Sequence, residues 1–164
     1  MGNDYYSIGI DVGSTTVKVV VMSGDRIIYE RYERHLAKVQ SKTAELLTDA
    51  RRAASGRQVT AVISGSAGMG LATASGIPFI QEVFATSECV RRKLDDIDAV
   101  IELGGEDAKI LFLTSGEEQR MNGACAGGTG AFIDQMAMLL DMSGDELDRI
   151  SLESTRLSPA AVAL

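Results

Sequence analysis

The sequence predicts an α/β fold in two lobes, each opening with a strand, an acidic-glycine turn and a returning strand. Two observations lead there. Apolar runs of strand length alternate with segments whose apolar residues recur at helical spacing. The strand-turn-strand pattern also occurs twice, about 90 residues apart, around the turn Asp11 to Thr16 and again around Gly104-Gly105-Glu106-Asp107. A boundary is expected near Asp95 to Asp98, giving an N-terminal lobe of residues 1–96 and the start of a second lobe at 97–164.

The elements follow in order. Tyr6 to Ile10 reads as a strand, Asp11 to Thr16 as a turn, and the valine-rich Val17 to Met22 as a second strand. Ser23-Gly24-Asp25 is a hairpin turn, and Arg26 to Tyr32 alternates as a third strand. A helix is predicted from Ser41 to Ser55, closed by Gly56. Val59 to Ser64 is a short apolar strand ending in Gly65. Pro78 to Val83 reads as another strand and Thr86 to Leu94 as a helix. The pattern then restarts. Ala99 to Leu103 is a strand, Gly104-Gly105-Glu106-Asp107 a turn, Ala108 to Leu113 the returning strand, and Glu118 to Met121 a third. Gly128 to Leu140 is predicted helical from Phe132, Ile133, Met136, Leu139 and Leu140. Ser143 and Glu146 stand at capping-box spacing ahead of a last short helix.

Composition narrows the function classes. Of 164 residues, 45% are hydrophobic and 24% charged, enough for a packed core in an ordinary globular chain. The net charge of −7 argues against a nucleic-acid surface, because no basic stripe is available to release counterions. No run approaches the roughly 18 apolar residues of a membrane span. The opening residues lack a signal-type segment, and their Met-Gly context reads as a strand and not as a lipid anchor. A cytoplasmic location is expected. Two cysteines, Cys89 and Cys125, are a poor disulfide framework.

The first turn has the chemistry of an anion nest. Gly13 lets backbone approach a phosphate, and the amides after it can point at phosphate oxygens. Ser14, Thr15 and Thr16 add hydroxyls, and Lys18 adds a positive charge. Asp11 would repel a bare phosphate and makes sense with a cation such as Mg²⁺, held directly or through water. The plain alternative is a hairpin turn of ordinary turn formers. The second turn repeats the logic. Gly104 and Gly105 allow close approach, while Glu106 and Asp107 could orient hydrated Mg²⁺ or an attacking water. Two lobes facing one another would bring both turns to a single polyphosphate.

Cys125 lies in the glycine-rich run Asn122 to Gly130, just before a helix. A helix N-terminus stabilises a thiolate, which would be a nucleophile or a metal ligand; the plain alternative is a small residue in a tight loop. Cys89 reads as a small buried hydrophobe, His35 as solvent-facing, and the seven methionines as core filler.

Three ordered motifs carry a resemblance. Ile8 to Lys18, Glu102 to Lys109 and Met121 to Gly130 resemble the BadF/BadG/BcrA/BcrD ATPase family, whose best-known members activate 2-hydroxyacyl-CoA dehydratases (component A). The resemblance covers nearly the whole chain. It implies an actin-like, ribonuclease H-like ATPase fold that takes ATP with Mg²⁺. It further implies a homodimer, or a fused second module, sharing one 4Fe–4S cluster, from which ATP hydrolysis drives an electron into a partner dehydratase. Asp11, Gly13 and Ser14 through Thr16, with Val17 and Lys18, match the first phosphate loop. Gly104, Gly105 and Glu106 match the second, and Cys125 matches the first cluster cysteine. Glu102, Glu106 and Ala124 depart from the usual pattern in the direction of large multidomain relatives. On this resemblance the family's second cluster cysteine falls beyond Leu164, and the chain alone is expected neither to assemble the cluster nor to hydrolyse ATP efficiently. Different readings of the same residues are a small-molecule kinase of the same superfold, acting on a sugar or acyl phosphate, and a non-catalytic nucleotide-gated module.

Overall fold

In the computed structural model, residues 5–114, 118–121 and 129–153 are described. The chain divides into two units, Met1–Asp95 and Asp96–Leu164. The first contains β1 (Tyr5–Val12), β2 (Thr16–Ser23), β3 (Arg26–Arg34), α1 (Val39–Ala53), β4 (Gln58–Ser64), α2 (Gly68–Ser75) and α3 (Glu82–Lys93). Its sheet has the order β3-β2-β1-β4, with β1 to β3 antiparallel and β4 parallel to β1.

Alternation along the strands sets the two faces. Ile8, Ile10 and Val12 of β1 and Val17, Val19 and Val21 of β2 share the inner face and are buried. They pack with Leu46 and Ala50 of α1 and Ala72 of α2. The opposite face carries Gly9, Asp11, Lys18, Val20 and Ser64, the register partners that alternate with this core.

Two expectations are corrected here. Residues 68–75 form a helix where no element was expected. Gly68 and Gly70 disguise it, yet Gly68 belongs there because a Cβ would come 2.9 Å from Ile63 Cγ2. Left-handed Gly76, at φ +70°, ends the helix with its N–H on the Ala72 carbonyl. The expected strand at Pro78 to Val83 reduces to one parallel bridge, Ile63 with Phe79, and α3 begins already at Glu82.

The second unit contains β5 (Ala99–Leu103), β6 (Ala108–Phe112), β7 (Glu118–Met121), α4 (Gly130–Leu139) and α5 (Gly144–Glu153). Its three strands form an antiparallel meander. Among its described residues few apolar side chains are buried: Leu111 and Ala137 are, while Ile101, Leu103, Ile133, Leu139 and Leu140 are exposed. Methionine as core filler fails for Met138, which is 75% exposed. Helix α4 is apolar nearly all round, yet Ala137 is its buried residue.

Candidate functional site

The two expected turns are the same hairpin built twice. In the first, Val12 pairs with Val17, and the Gly13 N–H donates to the Thr16 carbonyl at 2.9 Å. In the second, Leu103 pairs with Ala108, and the Gly104 N–H donates to the Asp107 carbonyl at 2.8 Å. One residue further from each tip, an acid faces a lysine across the ladder: Asp11 opposite Lys18, and Glu102 opposite Lys109.

At the first hairpin, Lys18 Nζ donates to Asp11 Oδ2 at 2.7 Å and stands 5.4 Å from the centre of the Tyr32 ring. Burial pulls the lysine pKa down, but the hydrogen bond and charge of Asp11 outweigh it and hold the group above its ordinary value. The row extends one strand further, since Asp11 is the register partner of Ser64. Asp11 Oδ1 and Ser64 Oγ are both buried without a hydrogen-bond partner. Polar oxygens in that condition are costly unless something meets them. Gly65, at φ +93°, folds over this corner. A Cβ there would collide with Asp11 Oδ1 and the Val12 carbonyl. Beneath the row lies a groove of about 660 Å³ lined by Gly9, Asp11, Lys18, Tyr32, Ser64 and Ala85.

The second hairpin is anchored by a helix. The first two N–H groups of α4 donate to its carbonyls, Gly130 to Gly104 at 2.8 Å and Ala131 to Gly105 at 3.0 Å. Helix N-termini leave such donors without an intrahelical partner, and here the turn accepts them. Gly130 is needed for this approach, because a Cβ would come 3.2 Å from the Gly104 oxygen. Lys109 is buried and shared, its Nζ 3.7 Å from Glu102 Oε1 and 3.4 Å from Asp107 Oδ2. Glu106 is exposed at the tip.

Three residues that matter here were not legible as such. His35 was expected to face solvent and is only 6% exposed, with Nε2 3.2 Å from the Gly13 oxygen. Ser64 and Gly65 were read as the end of a strand. Their signal was present in the polar pair closing an apolar run, but only the parallel pairing of β4 with β1 brings them to Asp11. Cys89 is corrected in the other sense: it is exposed on α3, whose buried residue is Ser87. Cys125 lies outside the described residues. Among the described residues no group of three or more His, Cys, Asp or Glu side chains could hold a metal ion. No described helix is long and apolar enough to cross a membrane.

Comparison with known proteins agrees with this architecture. The chain is 26% identical over 155 residues to the (R)-2-hydroxyglutaryl-CoA dehydratase activating ATPase of Acidaminococcus fermentans, covering 92% of this chain and 60% of that one. The crystal structure of that dehydratase's component A superposes with a TM-score of 0.78 at 25% identity, covering 94% of this chain and 61% of the other. The activator of the 2-hydroxyisocaproyl-CoA dehydratase from Clostridium difficile, solved with bound ADPNP, gives 0.74 at 26% identity, with 93% and 59% covered. This chain thus spans about 60% of the length of such relatives. The fold is that of the actin-like ATPases. With its twin hairpins in place and residues 8–162 matching the family profile, the chain belongs to the BadF/BadG/BcrA/BcrD ATPase family.

Proposed function

We propose that the whole protein binds Mg·ATP through these two hairpins and, by hydrolysing it, drives low-potential electron transfer from a 4Fe–4S cluster to a 2-hydroxyacyl-CoA dehydratase. The observation that supports this most is the repeated hairpin, with a glycine at the tip and an acid facing a lysine behind it. Gly13, Ser14, Thr15 and Thr16 offer backbone and hydroxyl donors to the polyphosphate, with Val17 and Lys18 holding the strand behind them. Gly104, Gly105 and Glu106 serve the same ligand from the second tip.

Mg²⁺ fits the donor set at Asp11. The ion takes oxygen ligands and keeps several waters. The buried, unpartnered Asp11 Oδ1 and Ser64 Oγ are oxygens that such hydration water would satisfy. When bound, the ion would neutralise phosphate charge. Glu106, exposed, and Asp107, which also meets Lys109, orient the attacking water. For the cluster, Cys125 is the proposed ligand. Such clusters take four thiolates, so the others come from the rest of the protein, in a homodimer or a fused second module. The relatives named as dehydratase activators support this partner.

Two measurements test the reading. In calorimetric titrations of the full-length protein, Asp11→Asn should weaken Mg·ATP at least about tenfold while Mg-free ATP binds as well as or better than to wild type, because the ion's water shell loses a charged partner and the bare phosphate loses a repelling one. Undiminished Mg·ATP affinity in that variant would refute the assignment of Asp11. Anaerobically purified full-length protein should show iron–sulfur absorption that Cys125→Ala removes; absorption unaffected by the substitution removes Cys125 from the cluster.

A further inference from the structure

The loop between β3 and α1 contains a buried imidazole that the phosphate chemistry above does not use. His35 Nδ1 accepts the Ala37 N–H at 3.2 Å, which places the ring proton on Nε2. Nε2–H then donates to the Gly13 carbonyl at 3.2 Å. The backbone of the same residue takes a second carbonyl of the turn, the His35 N–H donating to Thr15 O at 3.1 Å. One residue thus holds two of the carbonyls at the first tip from behind.

The peptide unit is planar and trans, so each carbonyl and the N–H that follows it point in opposite directions. Holding Gly13 O toward His35 turns the Ser14 N–H away from it. Holding Thr15 O does the same for the Thr16 N–H. The second hairpin reaches this end by other means: Gly104 O and Gly105 O are held by the first N–H groups of α4, which turns the amides of Gly105 and Glu106 away from the helix. Among the described residues no helix N–H stands on the Gly13 or Thr15 carbonyl; the N–H of Ala67, just ahead of α2, donates instead to the Val12 carbonyl at 2.9 Å.

The turn that brings His35 into place is itself strained. Lys38 N–H donates to His35 O at 2.7 Å across Leu36 and Ala37, at φ 47° and 62°. Two successive left-handed residues make a turn that ordinarily takes Asn and Gly. Neither residue here escapes the Cβ penalty.

We propose that His35 is a positioning residue of the first phosphate loop: through the Gly13 carbonyl it aims the Ser14 amide at the nucleotide's phosphates. This rests on the ATP-binding reading above for its ligand, but the loop's order can be measured without one. Two isopolar variants separate the ring's two bonds. His35→Asn keeps an acceptor near the Nδ1 position and reaches nothing at Gly13. His35→Gln puts a side-chain N–H near the Nε2 position.

In the nucleotide-free 164-residue chain, residue-resolved hydrogen exchange at Gly13 to Thr16 should quicken about tenfold in His35→Asn and stay within about threefold of wild type in His35→Gln, the effect of one buried hydrogen bond. In the full-length protein, the Kd for Mg·ATP should rise about tenfold in His35→Asn and little in His35→Gln. Equal exchange in all three chains overturns the proposal, as does a His35→Asn protein that binds Mg·ATP as tightly as wild type. If exchange follows the side chain while the wild-type full-length protein binds no nucleotide, the positioning of the loop stands and the ATP-binding reading falls.

Discussion

Gly65 shows how much one position can govern. Its φ of +93° is left-handed, and the space where a Cβ would go is filled by the Asp11 carboxylate and the Val12 carbonyl. Gly76 is also left-handed, at φ +70°, but nothing lies within 4 Å of its missing Cβ. Gly65→Ala should therefore destabilise the chain by about 2–4 kcal/mol, combining conformational strain with overpacking, whereas Gly76→Ala should cost only about 1–2 kcal/mol of strain. Urea denaturation of the two variants measures the difference; equal losses would mean that the Asp11 corner yields freely. Sequence reasoning singled out Asp11, Gly13 and Lys18 because an acid, a glycine and a lysine at that spacing suggest their chemistry locally. It did not reach His35, whose partner Gly13 lies 22 residues away, because a single histidine among Arg31, Arg34 and Lys38 looks solvated until tertiary contacts are known.

Among the elements, α5 illustrates a local rule realised as written. Glu146 Oε2 accepts the Ser143 N–H and the Ser143 hydroxyl, each at 2.8 Å, and the Glu146 N–H donates back to Ser143 Oγ at 3.3 Å. The Ser143 backbone bond, then its hydroxyl, lowers the Glu146 pKa below the ordinary glutamate range. A carboxyl depressed in the folded state stabilises fully above its unfolded pKa, about 4.3, and that contribution is lost as pH falls through the lower folded value. Acid titration followed by NMR should show the start of α5 fraying below about pH 4, with the step absent in Glu146→Gln. A wild-type helix start that is unchanged through this range would count against the capping box. The same kind of local signal failed for α2, because its glycines and small residues carry no amphipathic period; contact with Ile63, and not propensity, makes that helix. Strand order was equally illegible. Nothing in Gln58–Ser64 tells that it runs beside β1 and not outside β3, since apolar runs do not name their neighbours.

Over the whole molecule, the two units differ in how far they bury their apolar residues, and the repeat at their openings stands out against that difference. The first has valine and isoleucine of two strands sealed by α1 and α2; the second leaves Ile101, Leu103 and Ile110 on an open sheet face. Average composition could not foretell this asymmetry, which depends on how many layers each sheet has to cover it. The paired acids and lysines have a further consequence. Lys18 is already matched by Asp11, and Lys109 by Glu102 and Asp107. The first hairpin is therefore close to electroneutral before any anion arrives, and the second, with Glu102, Glu106 and Asp107 against the single Lys109, is net negative. A ligand bearing several negative charges meets no surplus of positive side chains there, and its charge must be balanced by peptide dipoles and by whatever counter-ion travels with it. Discrimination would then favour an anion escorted by a divalent ion over the same anion alone, by a mechanism that lysine-rich loops do not share.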